Sequence, residues 1–483
     1  MDGPADVIPL PVAELAAVLG ADLAGPGDPA ALVTSVSADT RTIDPGALFV
    51  ALPGGRADGH SFVPSAIAAG AVAALTRDPV PDALCVVVAD PLVALGRLAR
   101  HLVDRAAATG LRVVGITGSQ GKTSTKDLLS QVLESAGPTV APVGNLNNEL
   151  GVPLTVSRID EQTRFLVAEM GARGIGHIAY LCDIAPPLVG VVLNVGQAHV
   201  GEFGGRAAIA EAKGELVEAL PAEGFAVLNA ADPLVWAMRD RTAAHVLSYS
   251  GDGATEGPGV WATNLTSDPL GRYAFRLHSA ELGRSESEVE VQLRVAGRHQ
   301  VANALAAAGA AIALGLDLGA VATGLSAATA RSRWRMELGQ RRDGVTVLND
   351  AYNANPDSMR AAVGTLAELG RQRTRRTWAV LGDMLELGEV AEQAHAELGT
   401  FVADSGIDRL VAVGAYAEPM AAAARAGGLV QTGAVRVHAE KAAALADVLA
   451  RLAPGDVVLV KASRGLALDT VAAAILAFSE DPA

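Results

Sequence analysis

Only two cysteines occur in 483 residues, Cys85 and Cys182, far apart in sequence and each in an apolar context. Their scarcity excludes a disulfide framework and any cysteine-based metal spacing, and it fits buried free thiols in a reducing cytosol. Lysine is almost as rare. Lys122, Lys126, Lys213, Lys441 and Lys461 are the whole set among 38 Lys and Arg residues. Where arginine supplies most of the positive charge, a retained lysine hints at amine chemistry. Long apolar runs are also missing. Half the residues are hydrophobic and the mean hydropathy is +0.30, but Gly, Pro, Asp and Arg interrupt them every few positions, so no run reaches the length that spans a bilayer. The leading MDGPADVIPL carries no basic segment, so no secretory signal is expected, and a cytoplasmic location is. The net charge of −15 and pI near 5.1 argue against nucleic acid as a partner, because phosphate backbones demand clustered Lys and Arg. Anionic small ligands need only local positive charge. Internal repeats and low-complexity tracts are absent as well.

What is present is organised around one stretch, LRVVGITGSQGKTSTKDLLSQVLESAG, from Leu111 to Gly137. The β-branched run Val113, Val114 and Ile116 suits a buried parallel strand. Leu128, Leu129, Val132, Leu133 and Ala136 then recur at helical spacing, and Gly137-Pro138 ends the helix. Between them lies Gly118-Ser119-Gln120-Gly121-Lys122-Thr123-Ser124. Strand, glycine turn and helix make a phosphate-binding construction: backbone N–H groups and the helix N-terminus face the anion, Lys122 adds charge, and the Thr123 hydroxyl can reach Mg²⁺. The full pattern G-x-x-x-x-G-K-[ST] would place glycine at 116, where isoleucine stands. The remaining string is shorter and less specific, and a purely structural turn is the competing interpretation. A nucleoside triphosphate is expected here.

The length is too great for one core, and three domains are expected. Residues 1–107 have the pattern of a small mixed α/β domain, with helices near Val12–Leu19 and 61–69 and strands near 48–52 and 83–88. Its polar cluster Ser37, Thr40 and Arg41 suits a pyrophosphate or uracil-type ring, or a solvated turn. From 108 to 330 strands alternate with helices, which predicts a mostly parallel sheet. Apolar runs there end in Glu169 and in His199, where ligands of open α/β sheets bind. A carboxylate near Thr123 could hold Mg²⁺; His199 could join it or be a core histidine. Lys213 falls on a helix and by itself suggests a solvated face. Residues 251–295 suggest a hairpin-like excursion at the sheet edge. Asn303, in GRHQVAN, could meet an adenine edge or merely open a helix. Residues 331–483 form a doubly wound pattern without G-x-G-x-x-G, so a dinucleotide is not expected. Arg333 and Arg335 flank Trp334 at the junction, where a moving domain could bring a cation to a transferring phosphate.

Taken together, TGSQGKTSTK, GNLNNELGVPL, AEMGA, NVGQAHVGEFGG, IAEAKGE and GRHQVAN resemble, in order, the motifs of the Mur ligase family of peptidoglycan synthesis. NDAYNANPDSM, LGDMLELG and LVKASRG look like those of its D-alanyl-D-alanine-adding branch. The resemblance covers nearly the whole chain. It implies three α/β domains: an N-terminal UDP-sugar-binding domain, a central ATPase-like domain and a Rossmann-like C-terminal domain taking the incoming amine. It implies an ADP-forming amide ligase acting on UDP-MurNAc-tripeptide and D-Ala-D-Ala through an acyl phosphate, as a monomer. It further implies ATP at Gly118 to Ser124; Lys122 and Arg335 on the phosphates; and two Mg²⁺ near Thr123, Glu169, His199 and a Lys213 carbamylated by CO₂. Asn303 would meet adenine, Asp350 the ribose and Asn353 the nucleotide edge, while Ser37, Thr40 and Arg41 would meet the UDP-sugar. Gln300 replaces an asparagine common in the family and is left outside the predicted site. Two other readings stay open: the sister ligase adding the third amino acid, disfavoured because Asn355-Pro356-Asp357 stands in place of Asp-Asn-Pro-Arg, and a non-catalytic nucleotide-binding adaptor.

Overall fold

Three large sheets, each with its own strand order, build most of the described residues, beside a short antiparallel pair of Leu10–Pro11 with Leu32–Val33. The computed structural model describes residues 8–54, 58–196, 205–251, 253–254, 257–280, 286–373 and 375–478. After helix α1 (Val12–Leu19), the first sheet comprises β1 (Asp22–Ala24), β2 (Ser35–Ser37), β3 (Ala47–Val50), β4 (Ala73–Thr76) and β5 (Cys85–Val87), in spatial order β1-β5-β4-β3-β2. Helix α2 (Pro91–Ala107), capped by the Asp90 carboxylate, leads to the next sheet. Both cysteines are free and buried, as the composition predicts.

The second sheet contains β6 (Arg112–Thr117), β7 (Thr139–Val140), β8 (Phe165–Glu169), β9 (Val189–Val192), β10 (Phe225–Asn229), β11 (His245–Ser250), β12 (Gly259–Ser267), β13 (Arg272–Ala280) and β14 (Ser287–Ala296). Their order is β14-β13-β12-β11-β10-β9-β6-β8-β7, parallel from β7 to β12 and antiparallel beyond. The excursion expected at 251–295 is thus three antiparallel strands at the sheet edge. Its helices include α3 (Lys122–Glu134), α4 (His177–Ile184), α5 (Arg206–Glu218) and α6 (His299–Ala313). Alternation along β6 decides its two faces. Val113 packs with Leu48, Leu95 and Leu98 in a core shared with the first sheet, while Val114 and Ile116 pack with Leu129 and Val132 of α3. Ile116 is a fully buried strand residue, so the strand continues where the longer phosphate-loop pattern would already turn.

The third sheet is β15 (Glu337–Gln340), β16 (Thr346–Asn349), β17 (Thr377–Gly382), β18 (Arg409–Val413), β19 (Val435–His438) and β20 (Val457–Lys461), ordered β15-β16-β20-β17-β18-β19, with α7 (Pro356–Arg373) following β16. Only β15 is antiparallel to its neighbour. Among the described residues no helix is long and apolar enough to cross a membrane.

Candidate active site

Parallel register brings the carboxyl ends of three strands together. Glu169, closing β8, pairs with Ile116 of β6, and Val192 of β9 pairs with Thr117. The phosphate loop therefore leaves the sheet between Glu169 and Asn194. Gly121 has φ +83°, and a Cβ there would lie 2.6 Å from Asn303 Oδ1, so only glycine allows α6 to approach the loop. Asn194 pins the loop with both ends of its amide: its Oδ1 accepts from Gln120 N at 3.0 Å, and its Nδ2 donates to Gln120 O at 3.1 Å. Ser119 Oγ accepts from Gly196 N at 2.9 Å. The cradle is held open from outside.

Within it, the half-buried Lys122 donates from Nζ to Gly118 O at 2.6 Å. Burial lowers its pKa and the Arg335 charge adds to that, while the Glu169 carboxylate opposes it. Glu169 is 1% exposed. Its Oε1 accepts from Asn147 Nδ2 at 2.7 Å, whereas its Oε2 is buried with no partner among the described residues. A buried carboxylate with one oxygen unsatisfied suits a cation or a proton donor. Thr123 Oγ1 accepts from Arg335 Nη2 at 3.3 Å, and Arg335 Nε is likewise buried and without a partner among the described residues. The Arg335 guanidinium lies over the Tyr352 ring, 4.1 Å from its centroid. A cation from the interdomain linker thus reaches the phosphate loop.

Lys213 corrects the expectation of a solvated helix face. It is buried, 6% exposed, and faces the same cavity as Lys122. Burial above all, then the Lys122 charge, pull its pKa well below the ordinary lysine value. No carboxylate among the described residues pairs with it. Gln300 also corrects the sequence reading. It is 2% exposed, its Oε1 accepts from Asn303 Nδ2 at 2.9 Å, and it lines the cavity. The longer amide still serves to orient Asn303. His199 lies outside the described residues. Among those described, no cluster of three or more His, Cys, Asp or Glu side chains could hold a metal.

Together these residues line a cavity of about 820 Å³ between the second and third sheets, whose walls include Gly118 to Ser124, Asn303, Arg335, Asp350 and Asn353. On the third-domain wall Asp350 is already engaged: Oδ2 accepts from Lys461 Nζ at 2.6 Å, and Oδ1 from Met336 N at 3.0 Å. Lys461, 2% exposed, also donates to Asn353 O at 2.8 Å. Ser37, Thr40 and Arg41 do not line this cavity. They sit at the end of β2, where Arg41 pairs with Asp39 and holds that carboxyl near a pKa of about 2. The predicted site leaves out Asn147, Asn194, Tyr352 and Lys461, the last noted only as one of five scarce lysines. Asn147 and Tyr352 lie inside motifs that drew notice as strings, and only the fold shows which letter turns inward.

Family models agree with this architecture. The Mur ligase family catalytic domain matches residues 32–108, the Mur ligase middle domain 116–311, and the Mur ligase glutamate ligase domain 334–464. The UDP-N-acetylmuramoyl-tripeptide–D-alanyl-D-alanine ligase of Mycobacterium tuberculosis is 45% identical, covering 98% of each chain. The Escherichia coli protein of that name is 34% identical over 97% of this chain and 99% of its own. Among solved structures, MurF from Acinetobacter baumannii superposes with a TM-score of 0.85 at 32% identity, covering 98% of this chain and 99% of that one. MurF ligase from Thermotoga maritima in complex with ADP gives 0.75 at 28% identity, over 91% and 96%. The chain belongs to the Mur ligase family.

Proposed function

We propose that the chain is an ADP-forming amide ligase that joins D-alanyl-D-alanine to UDP-N-acetylmuramoyl-tripeptide, as the names of its relatives state for those proteins. The carrying observation is the Arg335–Thr123 contact across the domain boundary, beside Lys122 and the unpaired Glu169 oxygen. A carboxylate is a poor electrophile. Transfer of the ATP γ-phosphoryl to the tripeptide's terminal carboxylate breaks the bond to ADP and creates an acyl phosphate. The D-Ala-D-Ala amine then attacks the acyl carbon, loses a proton, and the tetrahedral intermediate expels inorganic phosphate. Lys122 and Arg335 neutralise charge on the moving phosphoryl group.

Thr123, Glu169, His199 and Lys213 would hold Mg²⁺, which when bound supplies further charge neutralisation. The depressed pKa of Lys213 favours the neutral amine, the form that reacts with CO₂ to give a carbamate and a proton. That reaction turns a cation into the anion a metal site needs. Asn303 is assigned to adenine, Asp350 to the ribose, Asn353 to the nucleotide edge, and Ser37, Thr40 and Arg41 to the UDP-sugar. Residues 1–107, 108–330 and 331–483 accordingly take the UDP-sugar, ATP and the incoming amine, in a cytoplasmic, monomeric enzyme. The test is ATP turnover with UDP-MurNAc-tripeptide. Phosphate release should require D-Ala-D-Ala, and equal release with a lone diamino acid overturns the assignment. Lys213→Ala should lose activity and regain part of it with added bicarbonate or short carboxylates; full activity without them removes the carbamate.

A further inference from the structure

The linker between the second and third sheets does not hang free. Four residues spaced along one face of α3 each grip it. Arg335 Nη2 reaches Thr123 Oγ1 at 3.3 Å. Ser332 donates from N to Asp127 Oδ2 at 2.8 Å and from Oγ to Asp127 Oδ1 at 3.1 Å. Gln131 exchanges two hydrogen bonds with the Thr329 backbone, at 2.9 and 3.1 Å. Arg331 pairs with Glu134. The grip centres on a buried ion pair: Lys126 Nζ lies 2.5 Å from Asp127 Oδ1, with side chains only 4% and 7% exposed, and also donates to Pro142 O. A buried pair of this kind is costly unless every member is satisfied, and here the linker supplies the missing donors.

Past Ser332 the allegiance changes. Trp334 N donates to Glu337 Oε2 at 3.1 Å, Met336 N to Asp350 Oδ1 at 3.0 Å, and Tyr352 N to Trp334 O at 3.2 Å. Trp334 and Met336 both adopt left-handed backbone, at φ 60° and 52°. That conformation is strained in a non-glycine residue and persists only where its surroundings impose it. The two strained residues flank Arg335.

We propose that Asp127 is a positioning residue: it clamps Ser332 to the phosphate-loop helix, so that residues 329–332 travel with the central domain, the third domain pivots at Arg333–Met336, and Arg335 is delivered to Thr123 from a fixed anchor. The proposal rests on the reading of Arg335 as a phosphoryl-transfer cation. Its test is a double-mutant cycle on the full chain, reading kcat and KM for ATP with UDP-MurNAc-tripeptide and D-Ala-D-Ala. Arg335→Ala should lower kcat by ~100-fold and Asp127→Asn by ~10-fold, with KM for ATP changed less than ~3-fold in each. In the double variant kcat should fall within about twofold of Arg335→Ala alone, because the clamp acts through that arginine. Multiplying factors overturn the clamp and leave Arg335 in place. An unchanged kcat in Arg335→Ala removes the arginine from the reaction, and the clamp's purpose with it. Should Asp127→Asn fail to fold, the cycle of Ser332→Ala with Arg335→Ala decides alike, since it leaves the Lys126–Asp127 pair intact.

Discussion

The two walls of the central cavity treat buried charge in opposite ways. On the third-domain wall Lys461 and Asp350 satisfy each other at 2.6 Å, and Asp350 also accepts from Met336 N at 3.0 Å. Among the described residues of the central wall, Lys122 donates to a carbonyl, Lys213 has no carboxylate partner, and one Glu169 oxygen has no hydrogen-bond partner. Burying unpaired charge is expensive, so a fold retains it only where something else completes the set. One wall holds its shape by itself. The other leaves its charges unbalanced among the described residues.

That contrast can be broken most severely at Lys461. Lys461→Ala strands Asp350 in the interior and should cost about 3–5 kcal/mol of third-domain stability, seen as a lower denaturant midpoint. A midpoint unchanged would mean that the pair is solvated and the wall is not self-sufficient. On the opposite wall, Lys122→Ala should leave thermal stability nearly intact and lower kcat by about 10²–10³. A large loss of stability there would erase the distinction. Asn147→Ala frees the second oxygen of Glu169, and should weaken Mg²⁺ activation by roughly 10-fold or more, measured as a rise in the Mg²⁺ concentration giving half-maximal turnover.

The smallest effect concerns acid. His395 on the third-domain side is buried, and burial lowers its pKa from 6.5 although the Ala391 carbonyl opposes this. Its Nε2 accepts from Met384 N at 2.9 Å, and Nδ1 lies 2.6 Å from Ala391 O, which fixes the neutral ring. The unfolded chain therefore takes up a proton near pH 6.5 that the folded chain refuses until lower pH. Stability from this group is complete above pH 6.5 and declines below it, by at most about 1.4 kcal/mol per pH unit. Denaturation from pH 7 to 5 should show a shallower decline in His395→Gln than in the parent; equal slopes would exclude this histidine.

The sequence carried the strand–turn–helix at Leu111–Gly137 and the carboxyl-end placement of Glu169, because apolar periodicity and loop chemistry are local properties. Lys213 shows where local reasoning stops. Its helix α5 has charged neighbours on both sides, and only packing against the sheet turns that face inward. Gln300 failed for a related reason: substitution of one amide for another says nothing about which partner it meets, and Asn303 lies one helical turn away. Asp127 and Ser332 are 205 positions apart, a distance that no periodicity spans.

Glu368 on α7 accepts from Ser267 Oγ at 2.6 Å and from Tyr273 Oη at 2.9 Å, tying the antiparallel edge strands of the second sheet to the third domain. Together with the linker clamp this gives the third domain two attachments to the central one, at the pivot and at the edge strands. Ligands that assemble a site share its ordering cost, and the second to arrive then binds more tightly than the first. A third domain attached at two points to the central one leaves less of that cost to share. ATP and the tripeptide should therefore bind with nearly independent affinities, and cutting the Glu368 brace should make each depend on the other.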